Sequence, residues 1–192
     1  MRIFVAGATG VIGRQLLPLL SAAGHQVTGM SRSPEGAARL HAAGFDGVVC
    51  DVFDLPALMA AVAGAHPDVI LHQLTDLPDD PRGLPAAMAA NNRIRREGTA
   101  NLLAAAAAAG VRRILVQSVA WELPGEAGAA VAAMERQARA AGAVILRYGR
   151  FYGPGTYYTT APPDPPRIAV ASAARATLAL LEAPSGVYPV VE

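Results

Sequence analysis

Short apolar runs rich in β-branched residues alternate along the chain with longer alanine- and leucine-rich segments of helical period. Such alternation marks strand–helix–strand units that build a parallel sheet covered by helices. The first strand is predicted over 3–6 and its helix over 12–23, where Ile12, Leu16, Leu19, Leu20 and Ala23 return to one face. Pro18 falls inside that helix and should disturb its hydrogen-bond ladder, while Gly24 supplies a stop.

The same pattern continues with strand two over 26–30, a helix over 35–43, strand three over 47–50 and a helix near 55–63. Strand four is predicted over 68–73, followed by a polar, proline-broken loop over 74–85 and a long helix over 86–109 that Gly110 ends. Strand five (113–118), a helix (129–141), strand six (143–148), a helix (171–183) and a short strand (187–190) complete the series. Between 149 and 167 the run APPDPP blocks regular structure. A loop of that length in a compact domain is expected to cover a site, as a lid or a substrate wall. The expectation is one α/β domain over 1–192, a doubly wound parallel sheet of the Rossmann type.

Composition narrows the functional classes. Apolar residues make up 53% of the chain, which excludes a disordered segment. The formal charge is +1 with no basic block, so neither a nucleic acid nor an anionic membrane is an expected partner. Cys50 is the only cysteine, leaving no internal disulfide and no thiolate cluster, and no His/Cys/Asp/Glu set has metal-binding spacing. The start lacks the pattern of a secretory signal and no apolar run is long enough for a span, so a cytoplasmic setting is expected.

The stretch GATGVIG carries the first chemistry. Gly7, Gly10 and Gly13 lie between a predicted strand and a predicted helix. Gly7 permits the tight turn, Gly10 leaves room for a pyrophosphate and Gly13 lets helix and strand approach. The amide groups of Val11, Ile12 and Gly13 at the helix start, with Thr9 across the turn, form an anion site. Strand two ends in GMSRSP, without an acid for a free ribose hydroxyl. Arg32 there can pair with a 2′-phosphate, so NADP(H) is expected over NAD(H). Asp51 after strand three either accepts from the adenine amino group or caps local backbone.

Taken in order, GATGVIG, CDVFD, VILHQLT, REGTANLLAAAAAAGVRRILVQS and LRYGRFYGPG resemble the extended or atypical short-chain dehydrogenase/reductases, especially their NAD-dependent epimerase/dehydratase branch. The resemblance implies a sheet in the order 3-2-1-4-5-6-7, with the dinucleotide across its carboxyl edge. It implies that Gly7, Gly10 and Gly13 hold the pyrophosphate and Asp51 the adenine. His72, Gln73 and Leu74 would pass beneath the nicotinamide ribose. Ser118 would orient a substrate carbonyl or hydroxyl, and the segment from Tyr148 to Gly153 would flank nicotinamide and substrate.

The departures are equally specific. In that family a tyrosine moves the proton and a lysine four residues later lowers its pKa and holds the ribose. Counting back from Glu135, which matches a recurring family glutamate, puts Ala127 and Val131 at those positions, and neither transfers a proton. The chain contains no lysine at all; its basic residues are arginines. The family's long-helix asparagine would fall near Arg95, with Asn91 and Asn92 one turn upstream. The substrate-binding portion after strand six is much reduced. A homodimer through the 86–109 and 129–141 helices is the expected assembly.

Replacement groups for chemistry are Ser118, Tyr152, Tyr157 and Tyr158 as hydroxyls, His72 as a proton shuttle and Asp76 as an acid or base. Each has an ordinary alternative: a backbone cap, lid packing, a satisfied buried histidine, a solvated loop carboxylate. Three readings follow. The first is an NADP(H)-binding oxidoreductase acting on a small carbonyl, hydroxyl or enone substrate with an unusual proton donor. The second is a non-redox isomerase, cyclase or dehydratase on the same scaffold. The third is a dinucleotide sensor without turnover.

Overall fold

The computed structural model describes residues 1–192. Seven parallel strands form one sheet: β1 (Arg2–Ala6), β2 (Gln26–Ser31), β3 (Asp46–Val49), β4 (Val69–His72), β5 (Arg113–Val119), β6 (Val144–Tyr148) and β9 (Gly186–Val190). Their spatial order is β3-β2-β1-β4-β5-β6-β9, which is the predicted doubly wound topology. A separate two-stranded parallel sheet pairs β7 (Arg150–Tyr152) with β8 (Arg167–Ala169). These two short strands lie within or at the edge of the segment expected to be irregular. The prolines between them leave 150–152 and 167–169 free to pair.

Strand alternation divides the core. Ile3, Val5, Leu71, Leu115 and Leu146 pack with α1 (Val11–Ala22) and α7 (Val170–Ala179) on one face. Phe4, Ile70, Val116 and Ile145 pack on the other face, with Leu58 of α3 (Leu55–Ala65), Leu102 of α5 (Thr99–Ala108) and Met134 of α6 (Gly125–Ala140). Burial on both faces explains why VIL in β4 and in β6 reads as a continuous apolar run rather than an alternation.

Pro18 does not break α1. It lies on the exposed side, where the carbonyl it leaves without a partner meets water. The predicted helix over 86–109 runs as α4 (Leu84–Arg93), a π turn (Ile94–Gly98) and α5 in succession. Helix α6 begins at Gly125, four residues earlier than its apolar pattern suggested, and helix α2 (Pro34–Ala42) is capped by Ser33. No helix is long and apolar enough to cross a membrane.

Candidate dinucleotide site

The β1–α1 turn is fixed by close approaches. A Cβ on Gly7, whose φ is +92°, would stand 2.4 Å from the Gln73 carbonyl oxygen. A Cβ on Gly13 would stand 2.4 Å from the Gly7 oxygen and 2.6 Å from that of Ala8. At Gly10 only the Gly7 oxygen is near, at 3.3 Å, and the outer side is open. No side chain caps α1, whereas Ser33 caps α2 and Asp54 caps α3. The first-turn amides of Val11, Ile12 and Gly13 thus have no side-chain partner and can receive an anion, and Thr9 stands half-buried beside them. This cradle fits a nucleotide diphosphate.

Beside it, the loop after β2 meets the loop after β4. Arg32 Nη1 donates to Asp76 Oδ1 at 2.8 Å, and the Asp76 amide donates to Asn91 Oδ1 at 3.1 Å. Asp76 is therefore an ion-pair partner at the crevice edge. Asp51 is exposed and accepts from the Phe53 amide at 2.9 Å, the local turn that was its ordinary alternative.

At the end of β4, His72 is buried and both ring nitrogens are engaged. The Leu74 amide donates to Nδ1 at 3.3 Å, which leaves Nε2 to donate to Thr99 Oγ1 at 2.8 Å. Burial pulls its pKa down to about 4, so it stays neutral near pH 7. With both ring nitrogens bonded, His72 ties β4 to α5, the satisfied buried histidine that was the ordinary alternative to a proton shuttle. The Leu74 carbonyl accepts from Gln117 Nε2 at 2.9 Å. Gln73 is buried, donates to the Tyr148 hydroxyl at 3.4 Å and leaves Oε1 without a partner.

Ser118 lies within the layer between sheet and α6. Its hydroxyl donates to Glu135 Oε1 at 2.7 Å. Arg147 Nε and Nη2 reach the same carboxylate at 2.8 and 2.6 Å, and Arg139 Nη2 at 3.1 Å. Burial alone would push the Glu135 carboxyl up; bonds from Arg147, Ser118 and Arg139 outweigh it and hold the pKa at about 2. The Ser118 proton lies in its bond to Glu135, and its oxygen keeps lone pairs with which to accept. The bond ties β5 to α6. Tyr148 is likewise turned into the α7 layer, where its hydroxyl meets Thr177 Oγ1 at 2.6 Å and burial raises its pKa to about 12. Its side chain is a wall of the core rather than of the crevice.

The segment after β6 reaches from α1 to the loop after β4. A Cβ on Gly155 would lie 3.6 Å from Arg14 Nη2 in the first turn of α1. Tyr157 donates its hydroxyl to the Pro78 carbonyl at 2.5 Å. Tyr152 donates to Glu192 Oε1 at 2.6 Å, while the exposed Tyr158 leaves its hydroxyl without a partner in the chain. On α6, Ala127 and Val131 offer no polar atom, as the sequence implied.

A protein-family model described as NAD(P)H-binding matches residues 7–184. The chain belongs to the NAD(P)H-binding family. This family member is 42% identical over 189 residues to a 3-diazoavenalumate denitrifying reductase of a Streptomyces species, covering 82% of this chain and 59% of that one. It is 32% identical over 123 residues to cinnamoyl-CoA reductase 1 of Oryza sativa subsp. japonica, covering 60% of this chain and 33% of the relative. It thus spans less than two thirds of these relatives. Among solved structures it resembles Thermus thermophilus UDP-glucose 4-epimerase in complex with NAD, with TM-score 0.78, 21% identity, and 100% and 78% of the two chains covered. Bordetella bronchiseptica WbmG with NAD and UDP gives TM-score 0.78 at 20% identity, covering 100% and 72%.

The expected preference of this family member for NADP(H) is corrected here. The dinucleotide in these similar structures is NAD, and the Arg32 guanidinium on which the preference rested is already paired with Asp76.

Arg95, near which the family's long-helix asparagine would fall, follows Asn91 by four residues. The helix face it shares with Asn91 does meet the sheet edge, because Asn91 bonds the loop after β4. The register with Thr99, four residues on, was the available signal.

Proposed function

We propose that the chain binds NAD(H) along the carboxyl edge of its sheet and acts as an oxidoreductase on a small organic molecule. The observation that carries this reading is the Gly7–Gly13 cradle, where a Cβ at either end would stand 2.4 Å from backbone oxygen and the helix start is uncapped. The bound dinucleotide supplies or accepts a hydride. The chain's own work is binding and placement. The α1 amides and Thr9 receive the diphosphate, Asp51 lies toward the adenine, and Arg32 with Asp76 flanks its ribose. Residues 72–74 run beneath the nicotinamide half through their backbone, and the 149–167 segment serves as the lid of a single-domain site.

Ala127 and Val131 give α6 no proton-handling group, so the proton for a carbonyl or enone substrate comes from water or from the lid. Of the three lid phenols, Tyr158 is the one with an uncommitted hydroxyl, whereas Tyr152 and Tyr157 already donate to Glu192 and Pro78.

A second reading is favoured by the denitrifying reductase and by the same missing pair. Replacement of an aryl diazonium group by hydride, with N2 as leaving group, balances without any proton from the protein. A homodimer through α4–α5 and α6 is supported by Ala104, Ala107, Ala129 and Ala132, which are exposed small residues on their outer faces. The single buried Cys50 accords with a cytoplasmic setting.

Calorimetry with NADH, followed by NADH oxidation against panels of aldehydes, ketones, enones and aryl diazonium salts, tests the reading. Binding with consumption of NADH in one panel is the expected result. Absence of NADH binding, or product formed by protein stripped of dinucleotide with no change of oxidation state, refutes it. Light scattering that finds a monomer at all concentrations rejects the dimer.

A further inference from the structure

The π turn at Ile94–Gly98 interrupts the long helix beside the crevice, and such turns recur where side chains are re-aimed at a site. Asn91, one turn before Arg95, bonds the Asp76 amide at 3.1 Å. Thr99, one turn after it, bonds His72 at 2.8 Å. Arg95 lies along the helix between these two anchors, which hold that stretch against the carboxyl end of β4 and the loop after it. Its neighbours diverge to either side. Ile94 joins the core under α3 and Gly98 packs against Val52, whereas Arg96 pairs with Glu126 of α6.

Arg95 Nη1 is buried and bonded to nothing, and Asn92 Oδ1, three residues earlier on the adjoining face, is buried and bonded to nothing as well. Arg95 takes part in no ion pair of the chain. Burial with no carboxylate nearby lowers its pKa from the ordinary arginine value. A guanidinium with one nitrogen buried and no counter-charge is costly for the half-buried Arg95, and the unmatched Asn92 oxygen three residues earlier adds to that cost; a ligand would relieve it.

We propose that Arg95, with Asn92 beside it, receives the carboxylate of the substrate at the carboxyl end of β4, which makes the substrate a small organic acid. The guanidinium fork matches two carboxylate oxygens; the Asn92 NH2 can donate to the same group, whereas its Oδ1 can only accept, as from a hydroxyl of the same molecule. The inference rests on the oxidoreductase reading of the crevice. Phosphate oxygens of the dinucleotide share this chemistry, but their cradle is the start of α1 on the opposite face of the sheet, among the core residues that include Ile12 and Leu16.

Acetate, benzoate, cinnamate and inorganic phosphate are titrated into the NADH-saturated protein, with benzamide and cinnamamide as neutral controls. At least one carboxylate is expected to bind about tenfold or more tightly than its amide, and Arg95→Met to lose that advantage. Arg95→Lys should restore part of it, while the NADH dissociation constant stays within about twofold throughout. Without ligand, Arg95→Met should melt higher than wild type, because an uncompensated cation is gone. No carboxylate binding by wild type, equal carboxylate affinity in Arg95→Met, or a lower melting point overturns the proposal. Loss of NADH or phosphate affinity in Arg95→Met overturns it by assigning the group to the dinucleotide. If wild type binds no NADH, the oxidoreductase reading falls, and the same carboxylate titration on the protein alone still decides Arg95.

Discussion

Glu135→Gln is the substitution with the largest calculable consequence. The carboxylate is 7% exposed and accepts from Ser118, Arg139 and Arg147, which joins α6 to β5 and β6. Its pKa lies at about 2 against an ordinary 4.5. Because the folded-state value is the lower one, the stabilisation is complete above pH 4.5 and fades as pH falls toward 2. The shift is worth about 3 kcal/mol at neutral pH and about 1 kcal/mol at pH 3. Urea denaturation of wild type and Glu135→Gln should therefore differ by about 3 kcal/mol at pH 7, a melting-point loss of roughly 10 °C in a chain of this size. The gap should narrow steadily below pH 4.5. His72 is present in both proteins, so its own acid destabilisation cancels. A gap that stays constant down to pH 3, or one under about 1 kcal/mol at pH 7, would refute the account of a strongly held carboxylate.

Gly13→Ala places a methyl 2.4 Å from the Gly7 oxygen, so NADH binding measured by calorimetry should be lost, with melting lowered in the same variant. Asp76→Asn removes the acid opposite Arg32; because Arg32 is 73% exposed, the NADPH-to-NADH affinity ratio should rise only modestly, by up to about tenfold, and an unchanged ratio would dismiss the ion pair as a determinant. Tyr157→Phe deletes the bond to the Pro78 carbonyl and should speed NADH release in stopped-flow fluorescence, while stability changes by no more than about 1 kcal/mol.

The strands and most helices were legible because a sheet buried on both faces writes continuous apolar runs, and its covering helices write a 3.6-residue period. The glycine cradle was legible because only residues without a Cβ fit the backbone approaches at Gly7 and Gly13. The loss of the tyrosine and lysine was legible as Ala127 and Val131. Pro18 misled because its exposed orientation is a property of packing, and β7 and β8 were missed because three-residue strands carry too little period to detect.

What the sequence determined by itself is the order of elements, the glycine turn between β1 and α1 and the absence of a proton-handling pair on α6. Only the tertiary structure decided which polar groups are spent within the chain. Ser118 is given to Glu135, Tyr148 to Thr177, His72 to Thr99 and Arg32 to Asp76, while Arg95 is left over. The physical reason is that hydrogen-bond commitment depends on partners distant along the chain, for example 17 residues for Ser118 and 44 for Arg32. A local pattern of residue types fixes which side chains exist, but the fold sets which of them remain free to meet a ligand.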